Sequence, residues 1–276
     1  MQVRISFFLK EAILFSLAMA VGIYVSYQYS RFVPDTIVVQ PIQFSTQNVL
    51  LIVVSFLIFS YVLSRFHSLA SMLFRVFLML VVFSGSQVFF STFIRSPIDL
   101  YAALVFVTLF LIVRTAITHN AAIILGIAGI SGLLGLSLTP LLGVLILTIL
   151  SFYDIIAVYR TGHMVQLARN MVQSKAIFGF LIPIETKDFF RSTSDGQVRD
   201  RFMILGSGDI GLPIMFASTL VSTSLTGAIL VGFFALGGLF VTHLLFINQR
   251  QRHAMAALPP IATACILGFL ISLVVA

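Results

Sequence analysis

Nine apolar runs, most of them near the 20 residues that a helix needs to cross a bilayer, take up nearly the whole of this chain. Their approximate limits are 12–29, 46–63, 76–94, 100–113, 121–138, 141–159, 202–221, 225–247 and 258–276. Charged residues make up only 9% of the 276 residues, against about 25% in soluble domains, and hydrophobic residues 59%. The sequence therefore predicts an all-α polytopic membrane protein with nine transmembrane helices. The first run follows Arg4 and Lys10 as a signal peptide would, but no small-x-small cleavage site follows it, and it reads as a retained helix.

Charge sets the orientation. With nine crossings and a cytoplasmic N-terminus, fourteen of the sixteen Lys and Arg fall on the cytoplasmic side, leaving only Arg31 and Arg95 outside. That bias places the C-terminus outside the cytoplasm. The formal charge of +7 flanks apolar runs, where it acts on topology and lipid headgroups, so nucleic acid is not expected as a partner. A single cysteine, Cys265, rules out an intramolecular disulfide and a four-thiolate metal site.

The chain reads as one membrane-embedded domain over residues 1–276. Helices 1–6 occupy about 12–159, a cytoplasmic connection 160–201, and helices 7–9 about 202–276. Residues 164–180 of the connection mix apolar side chains with Arg169 and Lys175, as an amphipathic interfacial helix does. Residues 185–200 are polar and carry Ser194-Asp195-Gly196, which predicts a loop. In the fifth run Gly126, Gly129, Gly132 and Gly135 repeat at a spacing that favours close helix packing.

Of the nine acidic residues only Asp154 and Asp209 lie inside the apolar runs as delimited above. A carboxylate at mid-bilayer costs roughly 2.5–3.5 kcal/mol on insertion scales, so each is a candidate functional group. Counted as helix from Arg160 and Arg201, they lie roughly 9 and 12 Å from a common cytoplasmic plane, at 1.5 Å per residue. If their helices are neighbours, the two carboxyls can meet. At low dielectric such a pair cannot cheaply ionise twice, and a dyad sharing one proton can activate water while donating to a carbonyl. That is general acid–base hydrolysis of an amide, without metal or covalent intermediate. Gly206, Gly208, Gly211 and Pro213 surround Asp209 and loosen its helix, and Pro213 has no N–H for the Asp209 carbonyl.

Tyr153-Asp154 in one run, Gly206-Ser207-Gly208-Asp209 in the next, and Ala257-Leu258-Pro259-Pro260 opening the last resemble the GxGD intramembrane aspartyl proteases, the presenilin and signal peptide peptidase group. The likeness is greatest to microbial, archaeal-type presenilin homologues and extends over the whole chain in number and order of spans. It implies a nine-helix fold, peptide-bond hydrolysis within transmembrane helices of substrate proteins, and Asp154 and Asp209 as catalytic residues. It also implies that Ala257 and Leu258 lie beside the acids, with Tyr153, Gly206, Gly208 and Pro259 as supporting or substrate-binding residues. Ala256 departs from the family's Pro-Ala-Leu, lacking its leading proline. The N-in orientation resembles presenilin and implies substrates with an extracytoplasmic N-terminus. The short 160–201 connection predicts an enzyme that needs no self-cleavage. No cofactor or metal is expected, the bilayer is the medium, a homo-oligomer is possible, and a multi-pass position in the cell membrane follows.

Other readings compete on the residues alone. Paired intramembrane acids also serve proton-coupled transporters and channels, but neither repeat symmetry nor a line of polar residues across the outer leaflet occurs. Gly129-Ile130-Ser131-Gly132 matches a rhomboid serine-protease motif with His243 as conceivable partner, yet it lies in a glycine-rich helix where packing explains it better. His67, His119, His163 and His253 read as interfacial residues at cytoplasmic ends. Tyr153 can bond a carboxyl or substrate, or simply pack. Residues 177–185, where Phe178, Phe180 and Ile182 alternate, can form a strand that pairs with an unwound substrate.

Overall fold

The computed structural model describes residues 5–32, 67–160, 174, 176–191, 201–249 and 255–275. Among them the chain forms eight α-helices and one two-stranded sheet. Helices α1 (Ile5–Phe32), α2 (His67–Ser91), α3 (Ile98–Ile112), α4 (Ala116–Leu136) and α5 (Pro140–Tyr159) come first. Strand β1 (Gly179–Pro183), a 3-10 turn (Thr186–Phe190) and strand β2 (Phe202–Gly206) follow. Helices α6 (Ser207–Ser218), α7 (Leu225–Ile247) and α8 (Leu258–Val275) complete the order. Five of the helices, α1, α2, α4, α5 and α7, are long and apolar enough to cross a membrane, and α3 and α8 are shorter apolar helices. The predicted second run, 46–63, and residues 164–173 of the predicted amphipathic segment lie outside the described residues.

Local chemistry starts these helices where they start. Thr115 and Thr118 form a reciprocal capping box at the head of α4, each side chain meeting the other's backbone N–H, at 3.3 and 3.1 Å. Pro140 opens α5 at the position where its missing N–H costs nothing, behind an N-cap threonine, Thr139. Ser224 caps α7 by accepting the Gly227 N–H at 3.0 Å.

Helix α4 is the centre of the molecule, packed against α1, α2 and α6. Its glycines act as predicted. A Cβ on Gly129 would lie 2.3 Å from the Gly85 carbonyl oxygen of α2, and one on Gly135 2.3 Å from the Met215 carbonyl oxygen of α6. In a bilayer, where lipid is as apolar as any side chain, such backbone contact drives helix association. Ser26 of α1 ties α1, α4 and α6 together, bonding the Ser218 hydroxyl at 2.8 Å and the Gly132 carbonyl at 3.0 Å. Gly129→Ala is expected to cost about 1–3 kcal/mol by overpacking against backbone that cannot turn aside. Gly237→Ala, with nothing within 4 Å of the added methyl, is expected to leave the midpoint unchanged or raise it. Thermal unfolding of both variants in detergent tests the contrast.

Three predictions need correction. The seventh apolar run is not one helix over 202–221: Phe202–Gly206 is strand, and α6 begins only at Ser207. A strand can form there because a second strand satisfies its inner backbone groups. The amphipathic helix expected to reach Phe180 does not, since residues 176–178 are irregular and β1 begins at Gly179. Glu11 is a further acid within a span, fully enclosed where α1 passes α7, with Oε2 2.8 Å from Nδ1 of the equally buried His243. The apolar run starts at Ala12 because charge precedes it, but the helix begins about two turns earlier, at Ile5, and Glu11 finds its partner on another helix.

The sheet is antiparallel, pairing Gly179 with Gly206 and Pro183 with Phe202. Hydrogen bonds from Ser207 N–H to the Phe178 carbonyl, 3.1 Å, and from Ile184 N–H to the Arg201 carbonyl, 2.9 Å, fix the parity. Residues 178, 180, 182 and 184 turn their backbone groups toward β2, and 203 and 205 turn theirs toward β1. The outer edges are therefore formed by 179, 181 and 183 on β1, and by 202, 204 and 206 on β2.

Candidate active site

The helices that carry the two aspartates pack against one another, and both pack against α8. Asp154 sits in the last turns of α5 and is buried, at 7% exposure. Asp209 is half-buried in the first turn of α6, close enough to Asp154 for the two carboxyls to act on each other electrostatically. They come within electrostatic range of each other although the depth count takes β2 at the rise of a helix. Its five extended residues advance at about 3.3 Å each rather than 1.5 Å, so Asp209 lies further along from Arg201 than a helix would carry it.

The glycines before Asp209 have distinct jobs. Gly206 is the N-cap of α6, and Asp209, at the third helical position, reaches back to hydrogen-bond its backbone. This is half of a capping box, with the acid supplying the returning acceptor. A Cβ at 206 would stand 3.2 Å from Asp209 Oδ2, tighter than ordinary contact. Gly208 is exposed, and a Cβ there would meet nothing within 4 Å. Gly206→Ala is thus expected to displace the Asp209 carboxyl and lower turnover about tenfold or more, since a misplacement near 1 Å can cost about 10². The enzyme's own packing does not oppose Gly208→Ala, so any loss there reports on bound substrate or water. Comparing kcat with KM for the two variants separates the effects.

Helix α8 presents its N-terminus to Asp154. Four N–H groups at a helix start lack intrahelical acceptors, but Pro259 and Pro260 have none to offer. Of the N–H groups that remain, that of Leu258 donates to Asp154 Oδ2 at 3.4 Å. The positive end of the helix dipole lies in the same direction. Behind Leu258, the Ala257 carbonyl accepts a bond from the Thr242 hydroxyl of α7 at 3.3 Å. Leu258 is buried at 4% exposure and Ala256 at 5%. Leu258 thus stands beside Asp154, with Ala257 and Pro259 next to it in the chain.

Tyr153 is the chain neighbour of Asp154. It is exposed at 51%, on a different face of α5 from its buried neighbour, because successive residues of a helix point about 100° apart. Ser131 packs within 2.8 Å of the Cβ position of Gly211 and His243 bonds Glu11, so the conceivable serine–histidine pair does not form. His119, read as interfacial, is buried and bonded to the sheet, its Nε2 3.1 Å from the Gly179 carbonyl oxygen. Sequence reasoning also missed Asn120, Lys10 and Thr242, which hold the strand or the α8 entrance. For Asn120 and Lys10 the one available signal was a polar residue near the border of an apolar run.

Comparison with known proteins agrees with this geometry. Residues 7–276 match the family model described as "Signal-peptide peptidase, presenilin aspartyl protease". Two crystal structures of a presenilin family intramembrane aspartate protease share the fold. One, in space group C222, is 22% identical, with a TM-score of 0.60 over 97% of this chain and 98% of that one. The other, in space group P2, is 21% identical, with a TM-score of 0.61 over 100% and 99%. No curated protein matches the chain. Nothing among these likenesses points to a proton-coupled transporter. With the family model covering all but its first six residues, the chain belongs to the signal-peptide peptidase and presenilin family of aspartyl proteases, integral membrane enzymes that cut within the bilayer.

Proposed function

We propose that Asp154 and Asp209 form the catalytic dyad that hydrolyses peptide bonds in transmembrane segments of substrate proteins. The observation that carries this reading is the electrostatic proximity of the two carboxyls, Asp154 bonded by Leu258 N–H and Asp209 by the backbone of Gly206. One carboxylate takes a proton from water as its oxygen attacks the scissile carbonyl carbon, and the other carboxyl gives its proton to the carbonyl oxygen. Collapse of the resulting gem-diol breaks the C–N bond, the nitrogen leaves with a proton from the dyad, and the acid and amine ends separate. Water and two carboxyls suffice, and no metal or cofactor takes part.

The substrate must be extended at the cut, because an intact helix encloses its carbonyls. Here the expected strand needs a correction: 179–183 is a strand, but β2 already occupies its inner edge. The open edge belongs to β2, where among the described residues the Ile204 N–H and carbonyl have no partner. That edge ends at Gly206, three residues before Asp209. An unwound substrate adding as a strand to β2 is led directly to the dyad.

In the fuller reading the whole chain is one domain of nine spans in the cell membrane, N-terminus cytoplasmic. Substrates have an extracytoplasmic N-terminus, and no self-cleavage is required. Purified enzyme in liposomes is expected to cleave a single-span substrate of that orientation and to be blocked by a hydroxyethylene transition-state mimic. Absence of cleavage across several substrates, with proton flux on an imposed gradient, would instead favour transport.

A further inference from the structure

Among the described residues only one of the two outer edges of the sheet is open, and the other is closed by side chains rather than by a third strand. On β1 the Gly179 carbonyl accepts from Nε2–H of His119 at 3.1 Å. The Leu181 N–H donates to Oδ1 of Asn120 at 2.8 Å, and the Leu181 carbonyl accepts from Nδ2 of the same residue at 2.9 Å. The Pro183 carbonyl accepts from Nζ of Lys10 at 3.1 Å, and the Ile184 carbonyl lies 3.0 Å from the same nitrogen. Pro183 has no N–H to satisfy.

Asn120 is the centre of this closure. Its carboxamide carries one acceptor and a donor in a plane, so it pairs with Leu181 as the peptide group of a neighbouring strand would. It is 2% exposed and belongs to α4, the helix fixed by glycine contacts to its neighbours. A pair of five-residue strands is marginally stable alone. Strand register is held by the burial of one face, and a shift of two residues keeps that face while moving the chain by roughly 6–7 Å. Asn120 pins the sheet to the immobile helix, and β2 runs from that sheet directly into Asp209.

We propose that Asn120, with His119 and Lys10 beside it, is a positioning residue that closes the edge of β1 and so fixes the register at which a substrate strand on β2 meets the dyad. This inference rests on the reading of β2 as the substrate edge. A purely structural Asn120 would lower the amount of folded enzyme but leave the cleavage position unchanged, whereas a register-setting Asn120 determines that position.

The test is reconstituted cleavage of one single-span substrate, with kcat and KM normalised to folded enzyme and products identified by intact mass. Asn120→Ala is expected to reduce kcat about tenfold and to add products displaced by two residues. Asn120→Asp, which keeps an acceptor for Leu181 N–H, is expected to fall between it and wild type. A folded Asn120→Ala enzyme with wild-type kcat, KM and products overturns the proposal. Should Asn120→Ala not fold, Lys10→Met decides on the same readout: displaced products support the closure and the wild-type pattern overturns it. Ile204→Pro separates the two levels. Wild-type cleavage by Ile204→Pro removes the β2 reading and this inference with it, while an inactive Ile204→Pro beside a wild-type-like Asn120→Ala removes this inference alone.

Discussion

Asp154→Asn and Asp209→Asn are each expected to lower turnover of a reconstituted single-span substrate by at least about 10³-fold, within the range that positioned acid–base groups contribute and beyond. Asparagine is close in size to aspartate. At 154 its carbonyl oxygen still accepts the Leu258 N–H, and at 209 it can still reach the Gly206 backbone, so the entrance of α8 and the start of α6 stay formed. What disappears is the capacity to carry a proton. Because the two groups act as one unit, the double variant is expected to be no slower than either single variant. Initial rates, with thermal unfolding to confirm folded protein, make the comparison. More than a tenth of wild-type turnover in either single variant, or multiplied losses in the double, would show that the acids do not work as a dyad.

Ile204→Pro is expected to cut kcat/KM by about 30–100-fold while leaving the sheet intact. Proline is tolerated in an edge strand where its N–H would face away from the ladder, and the register places Ile204 in that position, opposite Leu181. The internal bonds run through 203 and 205 and survive. The change removes the outward donor and puts ring atoms where an added strand would approach. A lost backbone hydrogen bond contributes only about 0.5–1.5 kcal/mol, so the larger part of the effect comes from misplacing the scissile bond. Ile204→Ala controls for side-chain packing against Leu181 and Phe202. If the proline variant cleaves within threefold of the alanine variant, substrate does not use this edge.

Both expectations depend on residues whose meaning was unequally visible in the sequence. Asp154 and Asp209 stood out because a carboxyl in hydrocarbon needs a reason, and Gly206-Ser207-Gly208-Asp209 added a local pattern to that reason. Glu11 and Asn120 did not stand out. Each lies one residue before the apolar run to which its helix belongs, and a polar residue at such a border reads as the edge of a span rather than as part of the interior. The helices start earlier than the runs do, and both residues are enclosed. The same limit applied to Phe202–Gly206, where five residues apolar enough for a helix form a strand because β1 lies alongside.

By itself the sequence determined what a one-dimensional pattern can carry: membrane helices, their order, the close packing of a glycine-lined helix, and two acids that required a common purpose. Hydropathy, small-residue spacing and charge along the chain settle these, because each is a transfer or contact property of a segment alone. Tertiary structure alone decided which polar groups pair across the fold. Glu11 reaches His243, Asn120 reaches Leu181, Leu258 N–H reaches Asp154, and side chains close the outer edge of β1. The reason is physical. In a medium without water each buried polar group must find a partner within the protein, and which partner it finds depends on distances between segments that no local pattern encodes.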